Sequence, residues 1–180
     1  AAAAMQFSIK AGMKTKAPVV AYDIDKLSLP AKRTNCIYAM ETFHRATSKK
    51  RLFQTIAQSL TDQGQFLFTD FVLKKAGERP ADVAAWMRAE PFVTHPWSAE
   101  ETKKALAELK FDTRIDEDMT PKYRRLALFG WQECLARLQK RPPRAMLLQL
   151  LDDAELWVLR LRAMESGALQ VRRYFALKRG

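Results

Sequence analysis

Residues 35–72, NCIYAMETFHRATSKKRLFQTIAQSLTDQGQFLFTDFV, constrain the fold more than any other part of this 180-residue chain. An apolar strand and a turn ending in His44 lead into an amphipathic helix, a glycine break and a second apolar strand. A strand–helix–strand unit joins parallel strands, and such crossovers are right-handed almost without exception. In an open parallel sheet the ligand crevice lies outside the carboxyl ends of the strands, so chemistry is expected at residues 39–44 and 69–72. The helix is expected over 48–60, with Leu52, Ile56 and Leu60 on one stripe and Phe53 and Ala57 beside it. Thr47 or Ser48 can cap it, Lys49, Lys50 and Arg51 are expected on its solvent side, and Gly64 is expected to supply the turn into the next strand. Phe66, Leu67 and Phe68 form a continuous apolar run, as in a strand covered on both faces.

Further along, Pro80 opens a short segment holding Trp86 and Met87, broken at Pro91 and Pro96; residues 74–97 read either as a lid or as a surface connection. Ser98 and Glu101 form a capping box for a helix over 98–109. Phe111, Thr113 and Ile115 alternate with Asp112, Arg114 and Asp116, which predicts a strand with one wet face near a sheet edge. Thr120 and Pro121 suit a cap and first helical position. Leu128, Trp131, Leu135 and Leu138 then make one stripe, and Leu147, Leu150, Ala154, Trp157, Leu161 and Met164 make a second, on a helix starting near Pro143. These spacings predict a helical pair over 120–167, packed on itself or on a partner chain in a homo-oligomer. Gly167 ends the second helix, and Leu169, Val171, Phe175 and Leu177 form one face of a closing strand.

This order of pieces resembles the latter part of the class I S-adenosylmethionine-dependent methyltransferases that act on small molecules. The residues that carry the resemblance are Ala21-Tyr22-Asp23-Ile24 as a strand ending in an acidic residue, Leu29-Pro30, the stretch Ile37 to His44, and Gly64 to Asp70 ending in Thr-Asp. Trp97-Ser98-Ala99-Glu100-Glu101, Phe111 to Thr120 and Leu169 to Lys178 continue it, and Asp118-Met119-Thr120 followed by Tyr123 resembles the N- and C-methyltransferases of small molecules. The resemblance implies an α/β fold with a Rossmann-like sheet, its last four strands lying in the order fourth, fifth, seventh, sixth, and a helical pair inserted before the last strand. It also implies S-adenosylmethionine as cofactor and a small-molecule acceptor. The family's glycine-rich cofactor loop has no counterpart here, where the earliest glycine is Gly12. Residues 1–180 are therefore expected to be one methyltransferase-like domain, incomplete at its N-terminus, that binds cofactor weakly by itself.

By the same resemblance, Asp23 would accept from the adenine amino group with Ile24 packed on the ring, while Met40 and Glu41 would approach the methionine moiety and the sulfonium. An Asp capping a turn and a solvated Glu are the plain alternatives. An imidazole can exchange a proton near neutral pH, so by its residue type His44 suits taking a proton from an amine or hydroxyl as it is methylated; a backbone hydrogen bond is its alternative. Asp70, His95, Trp97 and Tyr123 are candidates for the substrate wall, where aromatic rings could enclose a cationic amine, though each also suits packing.

The net charge of +11 raises nucleic acid, anionic lipid or an acidic substrate as partners. The basic residues are dispersed, at Lys49–Arg51, Lys74–Lys75, Lys103–Lys104, Arg124–Arg125, Lys140–Arg144, Arg172–Arg173 and Lys178–Arg179, and form no tract interleaved with aromatics. Solvated helix faces account for them better than nucleic acid does. No apolar run is long enough for a bilayer, and two cysteines, Cys36 and Cys134, read as buried free thiols of a cytoplasmic protein. With only His44 and His95 a metal site is not expected. Two other classes remain beside the enzyme: a non-catalytic interaction module of the same fold, and a basic RNA-binding protein.

Overall fold

The computed structural model describes residues 2–138 and 142–180; Ala1, Gln139, Lys140 and Arg141, the last two from the basic run 140–144, lie outside it. In chain order the elements are α1 (Ala2–Lys10), β1 (Thr34–Met40), α2 (Lys49–Ser59), β2 (Leu60–Leu73), α3 (Ala81–Ala89) and α4 (Ala99–Glu108). Then follow β3 (Phe111–Asp118), α5 (Thr120–Arg137), α6 (Arg144–Glu165) and β4 (Leu169–Lys178). The sheet runs β1-β2-β4-β3, with β1 and β2 parallel and β4 antiparallel to both of its neighbours. That is the strand order the resemblance implied, and β3 sits at an edge as its wet face required. Across that edge Arg172 and Arg173 of β4 bond Asp116 and Glu117 of β3, so part of the basic excess is met inside the sheet.

Residue parity sets the two layers, because successive strand side chains point to opposite faces. Phe66, Phe68, Tyr174 and Ala176 face a core built with Leu52, Phe53 and Ile56 of α2 and Leu106 of α4. Phe71, Leu73, Leu169 and Val171 face a second core with Val83 and Trp86 of α3 and Ala163 and Met164 of α6. The expected face Leu169, Val171, Phe175, Leu177 is therefore only half buried in this sense: the covered face changes along β4 because different helices cover its two ends. On β1, Tyr38 and Met40 are 59% and 56% exposed, so this side of the strand is open. Cys36 shares that open face and is exposed, which corrects its reading as a buried thiol.

Three local expectations change. Residues 19–22 form no strand, and Val20 and Tyr22 are exposed; among the described residues nothing pairs with them, and an apolar run without a partner gains nothing from extension. The turn before the paired part of β2 is made by Gln63, at φ 63°, while Gly64 is needed because a Cβ there would come within 2.7 Å of the Thr61 carbonyl oxygen. Ser48 is the N-cap of α2 but its side chain bonds nothing there. Instead Asp25 accepts from the Thr47 N–H and hydroxyl, both at 2.8 Å, and its carboxyl is held below the ordinary range, chiefly by that hydroxyl. The capping box of α4 forms as expected.

The helical pair is the largest difference. α6 packs through its last turns, where Ala163 and Met164 are buried, but α5 buries only Thr120. Leu128 and Leu135 are 50% and 58% exposed and Leu147 38%, so the two stripes do not close on each other within the chain. The connection 74–97 is tied down rather than loose, since Val83 and Trp86 have no exposed surface and the Trp86 indole donates to Glu90 at 2.6 Å. Glu90 is in turn bridged by Arg160 of α6 at 2.6 Å.

Candidate active site

The carboxyl ends of the parallel pair β1 and β2 lie side by side, Met40 in register with Thr69. Immediately after β1, Glu41 adopts φ 48°, and its N–H donates to the Thr69 carbonyl at 2.7 Å. A left-handed conformation in a residue with a Cβ costs roughly 1–2 kcal/mol and persists where the surroundings enforce it, often at functional sites. Here it turns the Glu41 side chain toward α5, where the Tyr123 hydroxyl donates to Oε2 at 2.7 Å. Tyr123 stacks on Trp157 of α6 at 6.0 Å and 25°, and sets its edge to Phe71. Burial, reinforced by the Glu41 carboxylate, pushes the phenol far up, so it remains a donor.

These residues wall a cleft of about 370 Å³ lined by Met40, Glu41, Thr69, Met119, Tyr123 and Trp157. Thr69 Oγ1 is a buried hydroxyl with no partner among the described residues. Three of the residues expected from sequence, Met40, Glu41 and Tyr123, thus meet here. Thr69, Met119 and Trp157 were missed. Thr69 had a signal, because parity puts it rather than Asp70 on the cleft side. Trp157 had none, its heptad position being what a packing residue would show.

His44, Asp70, His95 and Trp97 assemble beside the cleft without lining it. His44 is fully buried; its Nδ1 lies 2.8 Å from Asp70 Oδ1, and its ring meets Phe71 edge-on and Trp86 at a tilt. Its Nε2 has no partner among the described residues. The His95 N–H donates to the His44 carbonyl at 2.6 Å, and Trp97 packs on Phe53 in the first core. Asp23 is half exposed: it starts the turn Ile24–Lys26 by accepting from the Asp25 N–H, and Ile24 packs against the first core.

Lys49, expected in solvent, is 4% exposed, donates to the His95 carbonyl and lies 5.6 Å from the Trp97 ring. Burial lowers its pKa from 10.5 to about 8, against the pull of Asp70, Glu101 and Asp25. In the window between these two values the unfolded chain holds the extra proton, so stability rises with pH across it. The gain is at most about 3 kcal/mol. Above pH 10 the trend reverses, because folded Tyr123 and Tyr174 resist ionisation that the unfolded chain allows near 10. The urea midpoint is expected to be higher at about pH 9.5 than at about pH 7.5, with the rise flattened in Lys49→Met.

Among the described residues no group of three or more His, Cys, Asp or Glu could hold a metal ion, and no helix is long and apolar enough to cross a membrane. No protein-family model matches the chain, and no curated protein matches it in sequence. Solved structures do match in fold. A Galdieria sulphuraria protein assigned as a sarcosine dimethylglycine methyltransferase superposes with a TM-score of 0.79 at 14% identity, over 97% of this chain and 64% of that one. The geranyl diphosphate C-methyltransferase of Streptomyces coelicolor A3(2), solved with Mg2+, geranyl diphosphate and S-adenosylhomocysteine, gives 0.72 at 11%, over 96% and 57%. The [4+2]-cyclase SpnF gives 0.70 at 16%, over 99% and 62%. The chain therefore has the Rossmann-like fold of class I S-adenosylmethionine-dependent methyltransferases and spans about three fifths of the length of these proteins.

Proposed function

We propose that the protein transfers a methyl group from S-adenosylmethionine to a small-molecule acceptor bound against Glu41 and Tyr123. The observation that carries this reading is the strained Glu41 at the carboxyl end of β1, turned into a cleft between the parallel pair and the inserted helices. The fold likeness supports it without deciding the chemistry, since the cyclase has the same fold.

The residues present fit one side of the cofactor. Met40 and Glu41 would face its methionine end, Thr69 offers a free hydroxyl in the same cleft, and the half-exposed Asp23 carboxylate would meet the adenine amino group. When bound, S-adenosylmethionine supplies a methyl already activated on a sulfonium sulfur. The chain's own work is then positioning and proton transfer. Tyr123 and Trp157 hold the acceptor in line, Tyr123 fixes the Glu41 carboxylate by its hydrogen bond, and Glu41 takes the proton that the nucleophile releases. Buried beside the cleft, the His44–Asp70 pair fixes the turn after Glu41 to β2.

Calorimetry with S-adenosylmethionine tests the reading. Where a glycine-rich loop precedes this segment, the longer protein is expected to bind at micromolar levels, and residues 1–180 alone much more weakly. No binding by the longer protein refutes an enzyme that uses this cofactor.

A further inference from the structure

The cleft at Glu41 adjoins a second one. Leu126, Ala127 and Trp157 wall both it and a second lobe of about 510 Å³ between α5 and α6, which continues along Gly130, Trp131 and Leu150. This lobe explains why the predicted stripes do not close on each other. α5 runs for 18 residues and buries only Thr120, leaving Leu126 60% and Leu128 50% exposed. Gly130 sits in mid-helix, where glycine costs about 1 kcal/mol relative to alanine. No atom lies within 4 Å of where its Cβ would be, so packing does not demand glycine there. Its effect is to keep the groove wide.

The charge of the lining is equally informative. The chain carries 31 Lys and Arg against 20 Asp and Glu. Yet among the described residues the two lobes are lined by two carboxylates, Glu41 and Asp153, and by no Lys or Arg. A phosphate or carboxylate placed there would be desolvated beside like charge. Arg160, close to the Trp157 ring, is held by Glu90.

We propose that the acceptor is an elongated apolar molecule without an anionic group, lying between α5 and α6 with its hydroxyl or amine at Glu41. This rests on the methyl-transfer reading of the same site and adds the substrate class. Groove and cleft share Leu126, Ala127 and Trp157 as a wall, and a long apolar tail would cover the side chains that the helices leave bare.

Neutral N-phenyl-1-naphthylamine is the probe, added to the full-length protein with fluorescence as the readout. Saturable binding with quenching of tryptophan emission is expected, weakened about tenfold or more by Gly130→Trp, which fills the groove from a position where a side chain meets open space. Far-UV circular dichroism and melting temperature confirm that the variant is folded. Displacement by 1-dodecanol and dodecylamine is expected at concentrations about tenfold below those needed for laurate. Binding unaffected by Gly130→Trp, or laurate as effective as dodecanol, overturns the proposal. So does a dimer that Gly130→Trp dissociates without any probe binding, which would assign the groove to a second copy. S-adenosylmethionine affinity is measured separately and should not change in Gly130→Trp, so failure of the cofactor reading and failure of the groove assignment are told apart.

Discussion

Replacing His44 by alanine is expected to lower stability by about 3–5 kcal/mol, the usual cost of removing one member of a buried pair. The imidazole has no exposed surface, and its loss leaves the Asp70 carboxylate, itself 4% exposed, without the partner it now has at 2.8 Å. It also removes the ring between Phe71 and Trp86. The check is the urea midpoint of His44→Ala, with Asp70→Asn added in a double-mutant cycle. Coupling between the two sites should recover part of the loss, because the double variant has no buried charge left unpaired. A variant that keeps its midpoint and loses turnover a hundredfold would show that His44 meets the acceptor directly.

Turnover should fall most at Glu41. If its carboxylate takes the nucleophile's proton, Glu41→Gln lowers kcat by about 10²–10⁴-fold, the range for a lost general base, with little effect on the urea midpoint. Tyr123→Phe removes the donor that fixes Oε2 and should lose less, because the ring and its stack on Trp157 remain. The size of the loss separates the roles: Glu41→Gln loses most of kcat, whereas Tyr123→Phe keeps most of it. Wild-type kcat in Glu41→Gln would leave positioning as the whole mechanism.

Much of this architecture can be read in the residues because periodicity and caps are local. The crossover 35–72, the capping box at Ser98 and the wet strand 111–118 each follow from spacings within a few residues of one another. The site was legible only in part, for a related reason. Glu41 and Tyr123 are 82 positions apart, and their pairing depends on a left-handed backbone that no propensity announces. At the end of β2, sequence favoured the ionisable Asp70 over Thr69, while strand parity gives the cleft to Thr69 and the buried side to Asp70. Lys49 deceived for another reason: its place in a run of three basic residues suggested solvent, but its helix position turns it beneath the segment that holds Trp97. The helical stripes fall on α5 and α6 as their spacing predicted, but a heptad pattern does not say what fills the seam.

The central position of β4 bears on how the chain is made. Leu169–Lys178 is paired along one edge with β2 and along the other with β3, and β3 pairs with no other strand among the described residues. When this segment has emerged only as far as α6, β2 therefore lacks its β4 neighbour, β3 is detached, and the apolar side of β2 that Tyr174 and Ala176 will later flank is open. The joining of β3 to β2 must wait for β4 to emerge. Until then the nascent chain presents open strand edges, the condition in which such intermediates recruit chaperones or associate with one another.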